Sequence, residues 1–305
     1  MAASKQNLGS KLLETLVVFG VRLVFLIERG LGRTVSSAIG GALLRVFGRF
    51  VAADSTMKRN LENVFPEKSR EARESLARGA WDNLGRVGAE YAHLDTMVDI
   101  DSTHLTGAIV ELVGAEHFFA VRDDGRPGLF FSGHLGNWEL LSVCAHRLGL
   151  NLISVFRAPN DPGIARIIHE IRGRTMGSLQ AAGAGAAQKM VDALESGAHL
   201  GMLIDQHLGK GVPVEFMGRP ALANPTLAKL ARRFDCPVHG ARVIRLPHGR
   251  FRIEVTPPMR FDRDADGHID VVKATQLMTS TIDAWVREYP DQWLWMHRRW
   301  RVPTP

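Results

Sequence analysis

The sequence predicts an α/β fold, in which helices flank a mostly parallel mixed sheet and a helical, membrane-associated segment forms the N-terminus. Beyond residue 109, short apolar runs bounded by turn residues alternate with longer stretches of helical periodicity. This alternation is typical of parallel strands joined by crossover helices. The composition agrees, because 45% of the 305 residues are hydrophobic and 23% are charged, as in globular domains with a packed core.

The individual elements follow from the apolar runs and the turn residues between them. Strands are predicted at 109–112, 127–132, 151–156, 199–204, 237–245 and 250–256. Helices are predicted at 138–148, 162–174, 184–196, 224–234 and 270–289. In open sheets of this kind a site forms at the carboxyl ends of the strands. Polar residues that directly follow a predicted strand are therefore the first candidates for function.

Residues 1–57 are predicted to form an amphipathic helical segment that binds a membrane, ahead of a larger domain at 58–305. On a helical wheel, one arc of about 100° collects polar side chains: Lys11, Glu14, Thr15, Arg22, Arg29 and Arg33. Charges within the apolar run leave it short of the roughly 20 apolar residues of a clear membrane span. Three interpretations stay open: a helix lying in the membrane interface, a helix packed on the protein core, and a tilted span.

The charge balance favours a membrane over nucleic acid. The formal net charge is +6, and the first 60 residues hold nine Lys and Arg against three Asp and Glu. A segment that is both basic and apolar suits an anionic membrane surface. We expect no nucleic-acid partner, because zinc-finger spacing, RNA-recognition signatures and basic heptads are missing from the sequence. Cys144 and Cys236 form no CxxC pair, and we expect both to be inert thiols in the core. Two cysteines without a disulfide framework also favour a reducing, cytosol-facing location.

The segment GHLGNWE follows the predicted strand at 127–132 and carries the leading catalytic candidates, His134 and Glu139. At a strand-to-helix turn, Glu139 can fold back toward His134, and Gly133 and Gly136 permit a tight backbone there. A carboxylate on one ring nitrogen makes the other a better base. That base can deprotonate an alcohol, and backbone N–H groups at the helix start can stabilise an oxyanion. On spacing alone, an ordinary loop histidine is the favoured interpretation.

Seven ordered blocks of sequence resemble the lipid A biosynthesis (lauroyl/late) acyltransferase family, a branch of the lysophospholipid acyltransferase superfamily. The blocks span most of the chain: RNLENVFP, FFSGHLGNWEL, FRAPNDP, LIDQ, VEFMGRPA, LAKLARRFDCPV and YPDQWLWMHRRWR. The resemblance implies that His134 and Glu139 are the catalytic HxxxxD/E pair and that 58–305 is the acyltransferase domain. His134 would then act as general base, oriented by Glu139, and the acceptor hydroxyl would attack the acyl thioester directly.

The resemblance also implies the partners and the location. The acyl donor would be acyl carrier protein, the acceptor a lipid A precursor, and the location the cytoplasmic face of the inner membrane. We expect neither a metal nor an organic cofactor, and the sequence lacks HExxH and Walker motifs. Two alternatives stay open. One is acyl-CoA-dependent acylation of a phosphatidylinositol mannoside or a lysophospholipid, and the other is a non-catalytic, membrane-binding relative.

Further polar residues near the predicted sheet edge are expected to bind substrate, as phosphate ligands or as hydroxyl ligands: Arg157, Asn160, Arg172, Asp205, Gln206 and Arg219. Asp205 and Gln206 end the predicted strand at 199–204, and Asp205 is expected to orient Arg157 or Arg219, or to hold an acceptor hydroxyl. The tail WLWMHRRWR combines tryptophan with arginine. This combination suits a membrane interface and equally suits ordinary packing with a basic rim.

Overall fold

A seven-stranded sheet forms the centre of the protein. The computed structural model describes residues 8–157, 161–183 and 185–300, with the side chains from residue 15 onward. The strands are β1 (Val110–Val113), β2 (Leu129–Ser132), β3 (Leu152–Phe156), β4 (Ser178–Ala181), β5 (His199–Leu203), β6 (Val212–Phe216), β7 (Arg219–Ala223), β8 (Val238–Arg245) and β9 (Phe251–Val255).

The strand order of the main sheet is β1-β9-β8-β2-β5-β3-β4, and its neighbouring strands are parallel except for the antiparallel pair β8 and β9. The predicted mostly parallel mixed sheet is therefore confirmed. Two elements are absent from the prediction. β4 is a short edge strand with little burial, and β6 and β7 form a separate antiparallel hairpin. That hairpin turns at Met217 and Gly218, which both have positive φ, as a type I′ turn requires.

Helices cover both faces of the sheet, as predicted. They are α1 (Leu8–Leu31), α2 (Arg33–Phe47), α3 (Ala53–Val64), α4 (Arg70–Glu90), α5 (Ala115–Asp123), α6 (Glu139–Arg147), α7 (Pro162–Thr175), α8 (Ala186–Glu195), α9 (Thr226–Phe234) and α10 (Val271–Glu288). Successive side chains of a strand point to opposite faces. Phe130 accordingly joins the core under α5, α6 and α7, whereas Phe131 joins the core under α8, α9 and α10.

Helices α1 and α2 turn their polar or small side chains toward the protein and their apolar side chains outward. In α1, Arg22 pairs with Glu170 of α7 and Arg29 pairs with Asp95. In α2, small residues face α4, and a Cβ placed at Gly40 would lie 2.6 Å from the carbonyl oxygen of Gly85. This arrangement rules out the interpretation in which the apolar face of α1 packs on the core. Lys11 and Glu14 of the predicted polar arc lie outside the residues whose side chains are described.

The outward face of α1, α2 and the turn after them is a continuous run of exposed apolar side chains, reaching 69% exposure at Leu26 and 71% at Phe50. Across the part of the chain that is described, no single helix is long and apolar enough to cross a membrane. Residues 33–50 and 53–64 meet the length and composition requirement only as a pair, which is bent by 88°. The predicted division between residues 57 and 58 falls inside α3, so the chain has no break at that point.

Candidate active site

The loop between β2 and α6 places His134 at the carboxyl edge of the sheet. Its backbone is tight, because Gly136 has a φ of 58° and a Cβ there would lie 2.3 Å from the carbonyl oxygen of Val243. Only glycine fits such a close approach at a positive φ without strain. The predicted strand-to-turn placement of His134 is therefore confirmed, and Gly136 is what permits the loop to turn.

His134 pairs with Asp205, which follows the neighbouring strand β5. Because β2 and β5 are parallel, with Ser132 opposite Leu203, the residues after the two strands meet at one edge. His134 Nδ1 lies 2.7 Å from Asp205 Oδ1, and the backbone N–H of His134 donates to Asp205 Oδ2 at 2.7 Å. This is the geometry in which a carboxylate fixes the ring of a histidine base.

Asp205 is 2% exposed and remains the negative partner of this pair. Burial by itself would raise the pKa of Asp205, but the charge of His134 and the hydrogen bonds from its ring and backbone hold that pKa below its ordinary value. An ionised carboxylate can only accept, so the proton lies on Nδ1 of neutral His134 and the lone pair lies on Nε2. The amide nitrogen of Gln206 lies 3.5 Å from Nε2.

The predicted pairing of His134 with Glu139 is wrong for this structure. Glu139 is the first residue of α6 and points into the crevice between α6, α4 and α7. Its carboxylate accepts hydrogen bonds from Tyr91 Oη at 2.5 Å, from Trp138 Nε1 at 2.9 Å, and from Arg172 Nη2 at 2.5 Å and Nε at 3.0 Å. The physical reason is that a buried carboxylate is most stable beside a full positive charge, and Arg172 supplies that charge.

Glu139 and Arg172 form a buried ion pair with Tyr91 as a third member. Burial lowers the pKa of Arg172, but the charge of Glu139 outweighs this effect and raises it above its ordinary value. Burial and the charge of Glu139 raise the pKa of Tyr91 well above its ordinary value, so Tyr91 stays protonated and donates its hydroxyl. Arg172 also lies 5.4 Å from the ring centroid of Phe156.

An apolar cavity of about 100 Å³ lies between α6 and the sheet, and Glu139 and Arg172 line part of it. Trp138 also lines the cavity, and its ring centroid lies 5.1 Å from that of His134. Aliphatic and aromatic side chains from the seven strands of the main sheet form most of the remaining wall, together with Gly201 and Ala145. Trp138 therefore links the apolar cavity to His134, because it lines the one and contacts the other.

The other predicted ligands are distributed differently from the prediction. Arg157 is exposed at the end of β3, and Asn160 lies outside the described residues. Arg219 lies in the β6–β7 hairpin, where it donates to the carbonyl oxygen of Asn63 at 3.5 Å. Asp205 holds His134, and the predicted pairing of Asp205 with Arg157 or Arg219 is wrong.

Three of the backbone N–H groups around the start of α6, where an oxyanion site was expected, already have acceptors within the protein. Gly136 N–H donates to the carbonyl oxygen of Gln292 at 3.1 Å, Glu139 N–H to Asn137 Oδ1 at 3.3 Å, and Leu140 N–H to the Asn137 carbonyl oxygen at 3.0 Å. These three bonds stabilise the loop between β2 and α6.

The C-terminal segment is buried, so ordinary packing is the correct interpretation of its tryptophans. Trp293 is 1% exposed and Trp295 is fully buried, as is Arg299. Trp293 is a site residue that the sequence did not predict, because its indole N–H donates to Asp205 Oδ2 at 2.8 Å. The available signal was the group of tryptophans in the tail WLWMHRRWR. Among the described residues, no group of three or more His, Cys, Asp or Glu is placed to hold a metal ion.

Comparison with known proteins places the chain in a family and finds similar solved structures. Residues 4–302 match the bacterial lipid A biosynthesis acyltransferase family. The chain is similar to the crystal structure of the 1-acyl-sn-glycerophosphate acyltransferase PlsC from Thermotoga maritima, with 14% identity and a TM-score of 0.39 over 85% of this chain and 99% of that one. Comparison with curated proteins finds no match.

Proposed function

We propose that this chain, which belongs to the bacterial lipid A biosynthesis acyltransferase family, moves a fatty acyl group from acyl carrier protein to a hydroxyl of a lipid A precursor. Membership of the family makes it an acyltransferase. The observation that carries the proposed mechanism is the hydrogen bond between His134 Nδ1 and the buried carboxylate of Asp205. It leaves Nε2 as a base, on a ring that contacts Trp138 in the wall of the apolar cavity.

In the proposed reaction, His134 Nε2 takes the proton of the acceptor hydroxyl while the hydroxyl oxygen attacks the thioester carbonyl carbon. The C–S bond then breaks, and the imidazolium returns its proton to the leaving thiolate. Asp205 stabilises the imidazolium that forms between these steps. The amide of Gln206, which lies beside Nε2, is placed to donate to the carbonyl oxygen as its negative charge develops.

The apolar cavity is proposed to hold the acyl chain. Its wall carries few polar groups, and each methylene removed from water contributes about 0.8 kcal/mol. The ion pair of Glu139 and Arg172 lines the cavity together with Trp138, whose ring contacts that of His134. Glu139 is thus proposed to hold Arg172, Tyr91 and Trp138 in position around the chain rather than to orient the base.

The outward apolar face of α1 and α2 is proposed to lie in the cytoplasmic leaflet of the inner membrane, where the proposed lipid acceptor would be found. Exposed apolar patches of this extent are rare on soluble monomers. Arg45 and Arg49 are exposed beside this face and add attraction to anionic headgroups, which is worth about 1 kcal/mol per basic residue near the surface.

Vesicle sedimentation tests the membrane proposal. The double variant Phe19→Asp with Leu26→Asp removes two outward side chains that are 65% and 69% exposed. Each is worth about 1.5–3 kcal/mol when buried, so we expect at least a hundredfold weaker binding to anionic vesicles. Val272→Asp on α10, at a side chain that is 48% exposed, is the matched control. Equal binding by the double variant and the control would contradict the proposal.

Acyl transfer by purified protein tests the catalytic proposal, with acyl carrier protein thioester as donor and a tetra-acylated lipid A precursor as acceptor. His134→Ala should lose about 10²- to 10⁴-fold in rate, whereas His104→Ala, at an exposed loop histidine, should match wild type. Transfer by His134→Ala at the wild-type rate would refute the mechanism. Transfer only from acyl-CoA, or only to a lysophospholipid or phosphatidylinositol mannoside, would replace the proposed substrates. No transfer from any thioester would favour a non-catalytic membrane-binding protein.

A further inference from the structure

The C-terminal segment 292–299 is built onto the loop that carries His134. Leu294 N–H donates to the carbonyl oxygen of His134 at 3.1 Å, and Gly136 N–H donates to that of Gln292 at 3.1 Å. Trp293 and Leu135 form an antiparallel bridge between these two bonds. The segment therefore sets the position of the loop through its backbone before any side chain is considered.

The indole of Trp293 completes the hydrogen bonding of Asp205. Oδ1 of Asp205 faces the ring of His134, and Oδ2 accepts both the His134 backbone N–H and Trp293 Nε1–H, the latter at 2.8 Å. All three bonds join donors to a carboxylate that is sealed from water. Because Oδ2 accepts two hydrogen bonds, the Asp205 side chain cannot rotate without losing both. Trp293 therefore fixes the direction from which Oδ1 accepts the hydrogen bond of the His134 ring.

Arg299 supplies a positive charge on the same buried side. It is fully buried, donates from Nη1 to the carbonyl oxygen of Leu222 at 2.7 Å, and lies 5.0 Å from the ring centroid of Phe216. Phe216 in turn lies 5.5 Å from Trp293. Within the described part of the chain, Nε and Nη2 of Arg299 are buried without a hydrogen-bond partner.

A buried guanidinium without a carboxylate at hydrogen-bonding distance is costly unless a nearby anion compensates it. Burial lowers the pKa of Arg299 to about 10, and the charge of Asp205 acts in the opposite direction. His297 is the other titratable group of the segment that faces Asp205 and His134, and burial lowers its pKa to about 4, so it is neutral and adds no charge at pH 7. Arg299 is thus the buried cation of the segment, and Phe216 lies against both Arg299 and Trp293.

We propose that Trp293 and Arg299 are positioning residues of the active site: Trp293 holds the Asp205 carboxylate against His134, and Arg299 is its long-range countercharge. This inference rests on the proposed role of His134 as the base. It predicts that both residues tune the basicity of His134 without touching a substrate. Removing either the indole N–H or the cation leaves the negative charge of Asp205 less dispersed or less compensated, and this raises the pKa of His134.

The pKa of His134 can be measured without any substrate, from the pH dependence of its modification by diethyl pyrocarbonate, resolved by peptide mass spectrometry. Trp293→Phe removes the N–H and keeps the ring. The matched control is Trp295→Phe, because Trp295 is equally buried and its N–H donates to the carbonyl oxygen of Pro290. We expect the His134 pKa to rise in Trp293→Phe and to stay at the wild-type value in Trp295→Phe. Acyl transfer by Trp293→Phe should fall about tenfold, the equivalent of one charge-assisted hydrogen bond.

Arg299→Gln provides the second arm, with Arg298→Gln as the control that removes the same charge from an exposed side chain. A raised His134 pKa in Arg299→Gln but not in Arg298→Gln is the expected result. A His134 pKa in Trp293→Phe that is unchanged or lowered relative to the Trp295→Phe control overturns the inference, even if Arg299→Gln fails to fold. Failure of the proposed function is a separate outcome, because it shows as full acyl transfer by His134→Ala.

Discussion

Replacing Asp205 by asparagine keeps the shape of the side chain but exchanges one carboxylate oxygen for an amide nitrogen. Oδ2 accepts two N–H groups, from the His134 backbone and from Trp293, so the single oxygen of the asparagine should stay there. The amide nitrogen then faces His134 Nδ1, where Oδ1 lies at 2.7 Å in the native protein. Two donors cannot face each other, so His134 is forced into the tautomer that carries its proton on Nε2.

That tautomer has no lone pair on the nitrogen that has to accept the proton of the acceptor hydroxyl. General-base catalysis contributes about 10²- to 10⁴-fold, and the same Asp-to-Asn exchange in a serine protease triad lowers kcat by about 10⁴. Because Asp205 is buried and no water can replace its second oxygen, we expect a loss of about 10³-fold or more in kcat. KM should change little, since Asp205 contacts His134 and not a substrate.

The assay is acyl transfer under saturating donor and acceptor, with folding checked by thermal unfolding. Asp123→Asn is the control, because Asp123 is exposed and pairs only with its neighbour Arg122 in a surface contact. A kcat of Asp205→Asn within about threefold of wild type, equivalent to less than 1 kcal/mol in the barrier, would refute the reasoning that Asp205 sets the tautomer of His134.

Three further predictions concern the cavity and the buried charges. Glu139→Gln should lower the free energy of unfolding in urea by about 3–5 kcal/mol, because Arg172 loses its counter-charge. A loss below about 1 kcal/mol would contradict the buried ion pair. Ala145 lines the cavity about 9 Å along α6 from Glu139, so Ala145→Leu should shift the preferred acyl chain to a shorter length in competition assays. The control Ala120→Leu, at an exposed residue, should leave the chain-length preference unchanged. His297 has a pKa of about 4 in the fold, below the 6.5 of the unfolded chain, so its contribution to stability is complete above pH 6.5 and is lost as pH falls toward 4. Between pH 7 and 4.5, the free energy of unfolding should therefore fall less in His297→Asn than in wild type, by about 2–3 kcal/mol. Equal losses in the two proteins would show that His297 is not buried in its neutral form.

The sheet could be predicted because buried parallel strands are short, apolar and flanked by turns. β2 and β8 carry that signal strongly, since β2 is buried throughout and β8 nearly so. β4 does not, because it lies at the edge and its side chains are half-exposed or exposed. The β6–β7 hairpin could not be predicted because it contains Pro213 and Pro220. Proline is unfavourable in strands but is tolerated in a two-stranded ribbon with open edges.

The position of His134 could be predicted, whereas its partner could not. His134 and Asp205 both follow predicted strands, so the sequence indicates that both lie at the carboxyl edge of the sheet. Which strands are neighbours depends on the order of the whole sheet, and β2 pairs with β5 across 71 residues of sequence. Glu139 is only five residues from His134, but the start of α6 directs its carboxylate to Arg172.

The amphipathic pattern of α1 could be read from sequence, but its orientation could not. An apolar face looks the same on a helix wheel whether it packs on a core or faces outward. The ion pairs of Arg22 with Glu170 and of Arg29 with Asp95 decide the orientation, because they hold the polar face against the protein. Those partners lie at least 66 residues away in the chain, beyond the reach of a local pattern.

A double-mutant cycle of kcat on His134→Ala, Asp205→Asn and the combined variant tests the central claim most directly. If Asp205 acts only by orienting the base, it has nothing left to orient once His134 is gone. We therefore predict that the combined variant transfers acyl groups as fast as His134→Ala alone. A combined loss equal to the product of the two single losses would contradict the pairing of His134 with Asp205 as the catalytic unit.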